Sequence, residues 1–210
     1  MNSSSLAGVI ASIRDEMVEN KDYLVELDQQ NGDGDLGISM ANGYTALAEF
    51  LSKSDIKDLG MLFMKSASTF NEAAPSSLGT ITSFGFMGMA KALKGKEEAN
   101  YDEMVDALQA GLDKIMEKAK SKPGEKTILD SLYPGIQSLK ANSESDLEEA
   151  LRLAYIAAEE GSESTRDMLS VHGRAAYYGD KSLGVLDGGS VVGKLIFKGI
   201  YGYFKNLNNK

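Results

Sequence analysis

The chain has no cysteine and no tryptophan, one histidine and three prolines in 210 residues. Without cysteine, disulfides and thiolate metal centres are excluded. With His172 as the sole imidazole, Ser-His-Asp and Cys-His catalytic arrangements have almost no material to draw on. A lone histidine followed by Gly173 and Arg174 reads as structural or surface, and Arg174 is the better functional candidate, because a guanidinium matches phosphate oxygens in shape as well as charge. Positive charge is also scarce, with 22 Lys and Arg against 31 Asp and Glu and a formal charge of −9. Such a chain is a poor non-specific partner for nucleic acid, which is bound by neutralising phosphates. It holds a small anion only where a cation reverses the local field. Long hydrophobic runs are missing as well. The opening "MNSSSLAGVIASIRDEMVEN" lacks a basic leading region and its apolar run is broken by charge, so neither a signal peptide nor a membrane span is expected, and a cytoplasmic protein is.

What is present is helical. Apolar residues make up 42% and charged ones 25%, ordinary for a globular chain, and the length suits one domain over residues 1–210. Leu6, Val9, Ile10, Ile13 and Met17 follow the three-four rhythm of an amphipathic helix, and Leu24 and Leu27 continue it. Ile56, Leu59, Leu62, Phe63 and Phe70 form a second stripe. Tyr101, Met104, Val105, Leu108, Leu112 and Ile115 form a third, and Leu147, Ala150, Leu151, Ala154 and Ala158 a fourth. Val192, Leu195, Ile196 and Gly199 open a last one. No alternating stretch bounded by turn residues competes, so the expected class is all-α, with roughly eight helices. "KSKPGEK" (120–126) and "KANSESD" (140–146) read as connections, and most methionines, Met61, Met64, Met87 and Met89 among them, as core filler.

Glycine is plentiful instead: 22 residues, many for a helical chain, since each costs about 1 kcal/mol against alanine inside a helix. They gather in "NGDGDLG", "SSLGT", "KPGEK", "HGRAAYYGDKSLG" and "LDGGS", at helix boundaries where bare N–H groups can receive phosphate. The first cluster also carries Asp28, Asp33 and Asp35. Spacing alone leaves a metal site and a solvated turn both open. A calcium loop of the EF-hand kind fails, because counting from Asn31 puts Leu36 where glycine is required and Asn42 where the bidentate glutamate belongs. "GGSVVGKL" (188–195) approaches a Walker A loop but ends in Leu195 instead of a hydroxyl residue and follows no buried strand, so that match is coincidental. "LDGGS" survives as a helix start, with Asp187 as its cap.

These clusters, in this order, resemble the nucleotide-binding L subunit of dihydroxyacetone kinase, the DhaL-type family. "LD" at 27–28 with "GDGDLG" at 32–37, "KPGEKTILDSLYPGIQSL" at 122–139 and "GRAAYYGDKSLGVLDGGS" at 173–190 carry the resemblance, with "SSLGT" (76–80) at the place of the family's small turn. The resemblance implies an eight-helix antiparallel barrel. It implies ATP or ADP at one end, with two Mg²⁺ ions held by Asp28, Asp33 and Asp35. Nucleotide contacts carried over with it are Leu36, Gly37, Ile38, Ser39, Ser77, Leu78, Gly79, Ala119, Ile128, Arg174, Asp187, Gly188 and Gly189. It implies transfer to dihydroxyacetone or a related hydroxyketone, in glycerol metabolism, on a separate K-type subunit, and a phosphotransferase-system phosphocarrier protein as a further partner. No residue stands out as a general base, and the chain alone is expected to be inactive. Two departures accompany the match: Leu36 stands where the family has histidine, and Gly188 and Ser190 where it has proline and alanine. A nucleotide- or metal-binding sensor without catalysis is the alternative.

Overall fold

Short polar side chains start most of the helices. Asn2, Asp58, Ser76, Asn100 and Asp146 each accept a hydrogen bond from an N–H in the first turn that follows. At Asn100 the bond is reciprocated by Glu103, a capping box that contributes about 1 kcal/mol. The structure, a computed structural model, describes residues 1–208. These form α1 (Ser3–Glu19), α2 (Lys21–Asp28), α3 (Leu36–Lys53), α4 (Leu59–Ala73) and α5 (Ser77–Ala92). Then come α6 (Tyr101–Ala119), α7 (Leu129–Ala141), α8 (Leu147–Ser164) and α9 (Gly188–Asn208). Two short 3-10 stretches, Thr165–Asp167 and Arg174–Ser182, lie between α8 and α9. Among the described residues there is no strand, only an isolated bridge between Asn2 and Glu98. No described helix is long and apolar enough to cross a membrane.

The stripe read from Leu6 to Leu27 is interrupted at Asn20, whose side-chain amide donates back to the Glu16 carbonyl at 2.9 Å and so ends α1. Counted as one, α1 and α2 leave the expected eight helices. These close a ring: α1 packs on α3, each later helix packs on its successor, and α9 returns to α1. Neighbours run antiparallel. Gly8 lies against Tyr203 while Gly199 lies against Ile13; the Ser83 hydroxyl donates to Ala67 at 2.8 Å, and the Tyr101 hydroxyl to Leu139 at 2.8 Å.

The apolar stripes face inward. Tyr44, Phe70 and Phe86 meet edge to face, with centroids 4.9 and 5.7 Å apart. An apolar cavity of about 290 Å³ remains between the staves. Met89 belongs to this core, but Met61 and Met64 stand exposed on α4, against expectation. Their positions fall off the Leu59–Leu62–Phe63 stripe, and methionine reads as apolar wherever it lies.

Alternation of direction has one consequence for function. The connections α2–α3, α4–α5, α6–α7 and α8–α9 all lie at the same end of the barrel, and they hold the glycine clusters.

Candidate functional site

Asp28 closes α2, and its Oδ2 accepts N–H bonds from Gly34 (2.8 Å), Asp35 (3.1 Å) and Leu36 (3.4 Å). Three donors on one oxygen fold the loop back on the helix that precedes it. Gly34 takes φ +78°, and a Cβ on Gly32 would fall on the Asp28 carboxylate, so both turn positions need glycine. The result brings one oxygen from each of Asp28, Asp33 and Asp35 within 4.8 Å of one another. Burial, then the charges of Asp33 and Asp28, raise the Asp35 pKa, while Arg174 opposes them. Arg174 reaches in from the 3-10 stretch, its Nη1 2.9 Å from Asp33 Oδ2. A group of mutually repelling carboxylate oxygens is the donor set a hard divalent cation prefers.

Three helix starts surround this group. In α3 the N–H groups of Gly37 and Ile38 have no acceptor among the described residues, the ordinary condition of a first turn and one that favours anions. The Ser39 hydroxyl lies 2.6 Å from that of Ser76, which also accepts from Gly79 N–H at 3.1 Å, tying the α3 start to that of α5. Ser77 and Leu78 form the first turn of α5. An open cleft beside them is lined by Asp35, Asn71, Pro75, Ser76, Ser77 and Thr80. At α9, Asp187 caps Ser190 N–H at 2.6 Å, leaving Gly188 and Gly189 bare. Burial pushes the Asp187 carboxyl up to about 7, with Asp130 and Asp28 adding to the rise and the Ser190 N–H and Lys126 opposing it. A Cβ on Gly188 would sit 2.5 Å from Leu36 Cδ2, and one on Gly189 3.3 Å from the Ile128 nitrogen. The two departures Leu36 and Gly188 are therefore neighbours.

Most of the expected residues thus come together at one barrel end. Leu36 and Ile128 arrive with their side chains in the core, 7% and 3% exposed, so only their backbones face the cleft side. Ser190 is buried too, its hydroxyl 2.9 Å from that of Ser162 on α8. Ala119, the last residue of α6, packs against the apolar cluster of α6–α9 and touches none of the other expected site residues through a hydrogen bond. Lys194 sits on the barrel flank, 3.9 Å from Glu159, which agrees with rejecting the Walker reading. His172 pairs with Glu125 at 2.6 Å, and that bond, with the Lys122 N–H, holds the Glu125 pKa down.

Sequence reasoning marked the loop before α7 but missed its two buried charged residues. Asp130, buried, accepts from Gly124 N–H (2.5 Å) and Thr127 N–H (2.7 Å). Lys126 is buried as well, at φ +60°, and donates to three carbonyls: Met168 (3.1 Å), Ser182 (2.6 Å) and Val185 (2.7 Å). The only signal was the "PGEKT" turn itself, since a lysine in a polar connection reads as exposed. Ser76, one residue before the expected Ser77, was missed for the same lack of periodicity.

Residues 30–202 match the family model described as the DAK2 domain. Over 171 residues the chain is 30% identical to the ADP-binding subunit DhaL of the PEP-dependent dihydroxyacetone kinase of Escherichia coli (strain K12), covering 80% of this chain and 81% of the relative. It is 32% identical over 181 residues to the ADP-binding subunit DhaL of PEP-dependent dihydroxyacetone kinase 1 of Listeria innocua, covering 85% of each. The dihydroxyacetone kinase from C. freundii, solved in complex with AMP-PNP and Mg²⁺, superposes with a TM-score of 0.74 at 25% identity over 93% of this chain. The present chain spans 33% of that longer one.

Proposed function

Because the chain belongs to the DAK2 domain family, we propose that residues 1–210 act as one nucleotide-presenting unit of a two-part kinase. It holds ADP or ATP with Mg²⁺ and transfers phosphate to dihydroxyacetone or a related hydroxyketone on a separate K-type subunit. The observation that carries this reading is the convergence of three carboxylates, an arginine and three helix starts with bare N–H groups at one barrel end. The bound Mg²⁺, two ions in our reading, supplies the charge neutralisation that lets a polyphosphate approach an acidic protein.

This chain's own residues do the rest. Asp28, Asp33 and Asp35 are the cation ligands, and Asp28 also holds the loop that brings the other two into range. Gly37 and Ile38 in α3, Ser77 and Leu78 in α5, and Gly188 and Gly189 in α9 offer N–H groups to phosphate. Leu36, Ser39, Gly79 and Asp187 spend theirs on Asp28, Asp35, Ser76 and Thr165 and so shape the turns around the nucleotide. Ala119 and Ile128 border the nucleotide from α6 and α7. Arg174 moves between Asp33 and a phosphate oxygen, since both are anions within its reach. No imidazole or amine is placed as a general base, and in-line phosphoryl transfer asks chiefly for positioning and charge neutralisation. The substrate hydroxyl must then be activated on the partner subunit, so this chain alone does not turn over. The relatives' names, ADP-binding subunits of PEP-dependent kinases, support ADP as the bound nucleotide and PEP as the ultimate phosphate source. A cytoplasmic cycle with a phosphocarrier protein as the delivering partner completes our reading.

Calorimetry with ADP tests the reading. Binding is expected in Mg²⁺ and at least about tenfold weaker in EDTA, a difference of roughly 1.4 kcal/mol. Asp33→Asn should weaken binding comparably while leaving the melting temperature unchanged, because an exposed loop carboxylate supports no core. Equal affinity with and without chelator would refute the assignment.

A further inference from the structure

The stretch from Thr165 to Asp187 is the longest part of the described chain without an α-helix. It has little apolar anchorage of its own: Leu169, Val171, Tyr177, Tyr178 and Leu183 are all exposed, Tyr177 at 92%. Bonds at its base join its two ends to each other, Gly184 N–H to the Arg166 carbonyl at 2.8 Å and Asp187 N–H to the Thr165 hydroxyl at 3.1 Å. Leu186, near its end, is buried in the core, and three polar ties cross from the rest of the stretch to the molecule. Two are side-chain ion pairs: Arg174–Asp33, exposed and so of little weight, and His172–Glu125, a single partly buried contact. The third is Lys126.

Lys126 is 5% exposed, and all three donors of its ammonium are spent on carbonyls spread from Met168 to Val185. The geometry is costly. A lysine is held in a left-handed backbone conformation, and its charge is buried with carbonyls as its hydrogen-bond acceptors. An apolar side chain would fill the space at less expense, so packing does not account for the residue. We propose that Lys126 is the positioning residue of the nucleotide site: it straps the segment carrying Arg174 across the barrel end and thereby sets how long the nucleotide stays bound. The inference rests on the nucleotide reading above.

The lack of cysteine makes a clean test available. Lys126→Cys, alkylated with 2-bromoethylamine while unfolded and then refolded, regains an ammonium at nearly the original length. Two quantities are read on the full chain with Mg²⁺: dissociation of a fluorescent ADP analogue, and tryptic cleavage after Arg174 and Lys181. The unalkylated variant should release the analogue about tenfold faster and be cut at least about tenfold faster at those bonds, with its helical circular dichroism intact, and aminoethylation should restore both. A lysine that merely held the barrel would lose helical signal along with both. Dissociation unchanged in a variant that is cut faster overturns the inference alone, as does failure of rescue. Lys126→Met serves as a second variant, and loss of helical signal in both overturns it too, since Lys126 would then be holding the barrel. Absence of analogue binding by the unaltered protein overturns both readings.

Discussion

Phe70 in the barrel wall and Lys126 at the barrel end are both buried, yet they are held in opposite ways. Phe70 meets Tyr44 and Phe86 through non-directional contact, and any apolar shape of similar volume could be repacked around it. Lys126 is held by carbonyls of a second chain segment, and Asp130 and Asp187 by specific backbone N–H groups of their own turns. The wall derives its stability from area and the end its geometry from direction. A substitution in the wall should change how long the molecule lasts, and one at the end should change what it holds.

The largest effect should come from the wall. Phe70→Ala is expected to cost about 3–5 kcal/mol of unfolding free energy while leaving ADP affinity per folded molecule within about twofold, seen by denaturant titration beside calorimetry. A loss of affinity in folded protein would break the contrast. Asp28→Ala should be the mixed case, because its carboxylate both binds and folds the loop. The unpaired N–H groups of Gly34, Asp35 and Leu36 cost about 2 kcal/mol, and Mg-dependent ADP binding should fall about a hundredfold or more.

Asp187→Asn sharpens the comparison through pH. Its folded pKa, about 7, lies above its ordinary value, so the unfolded chain releases this proton first and stability falls as pH rises from about 4 to 7, then levels off. Asparagine keeps the cap and removes the charge. Thermal melts should therefore show a gain of about 1–2 kcal/mol at pH 8 and none at pH 4. A gain equal at both would mean that burial of charge is not the cause. The smallest effect concerns the two neighbouring departures. Gly188→Ala should cost about 1 kcal/mol by pressing on Leu36, and Leu36→Ala in the same chain should recover part of it, a coupling that a double-mutant cycle measures. Strict additivity would show that the two do not touch.

The wall was legible in the sequence because a helix buries one face, and Leu6, Val9, Ile10, Ile13 and Met17 announce that face by spacing. Ring closure was not, since nothing in a stripe names its neighbour, and the antiparallel barrel came from the family resemblance. The break at Asn20 left no mark, because Leu24 stays in phase with Met17. At the barrel end, Asp28, Asp33 and Asp35 were visible as candidate ligands, but that Asp28 also folds the loop depends on three N–H groups no residue type reveals. Lys126 was hidden by its own chemistry. A lysine that follows proline, glycine and glutamate looks solvated, and only the arrival of carbonyls more than forty residues later shows where its charge goes.

The closed ring has a consequence for how the molecule is made. A bundle with free edges can finish piece by piece, but here α1 keeps a sticky flank until α9 has been synthesised and has left the ribosome. During that time Ile13 and its neighbours lack the surface that Gly199 and Tyr203 later provide. Joining segments so far apart costs only logarithmically more than joining near ones, so the delay is one of timing more than of energy. For the length of one translation the nascent chain is a barrel missing a stave, with an apolar seam open to chaperones, to a second nascent copy, or to anything else able to lie along it.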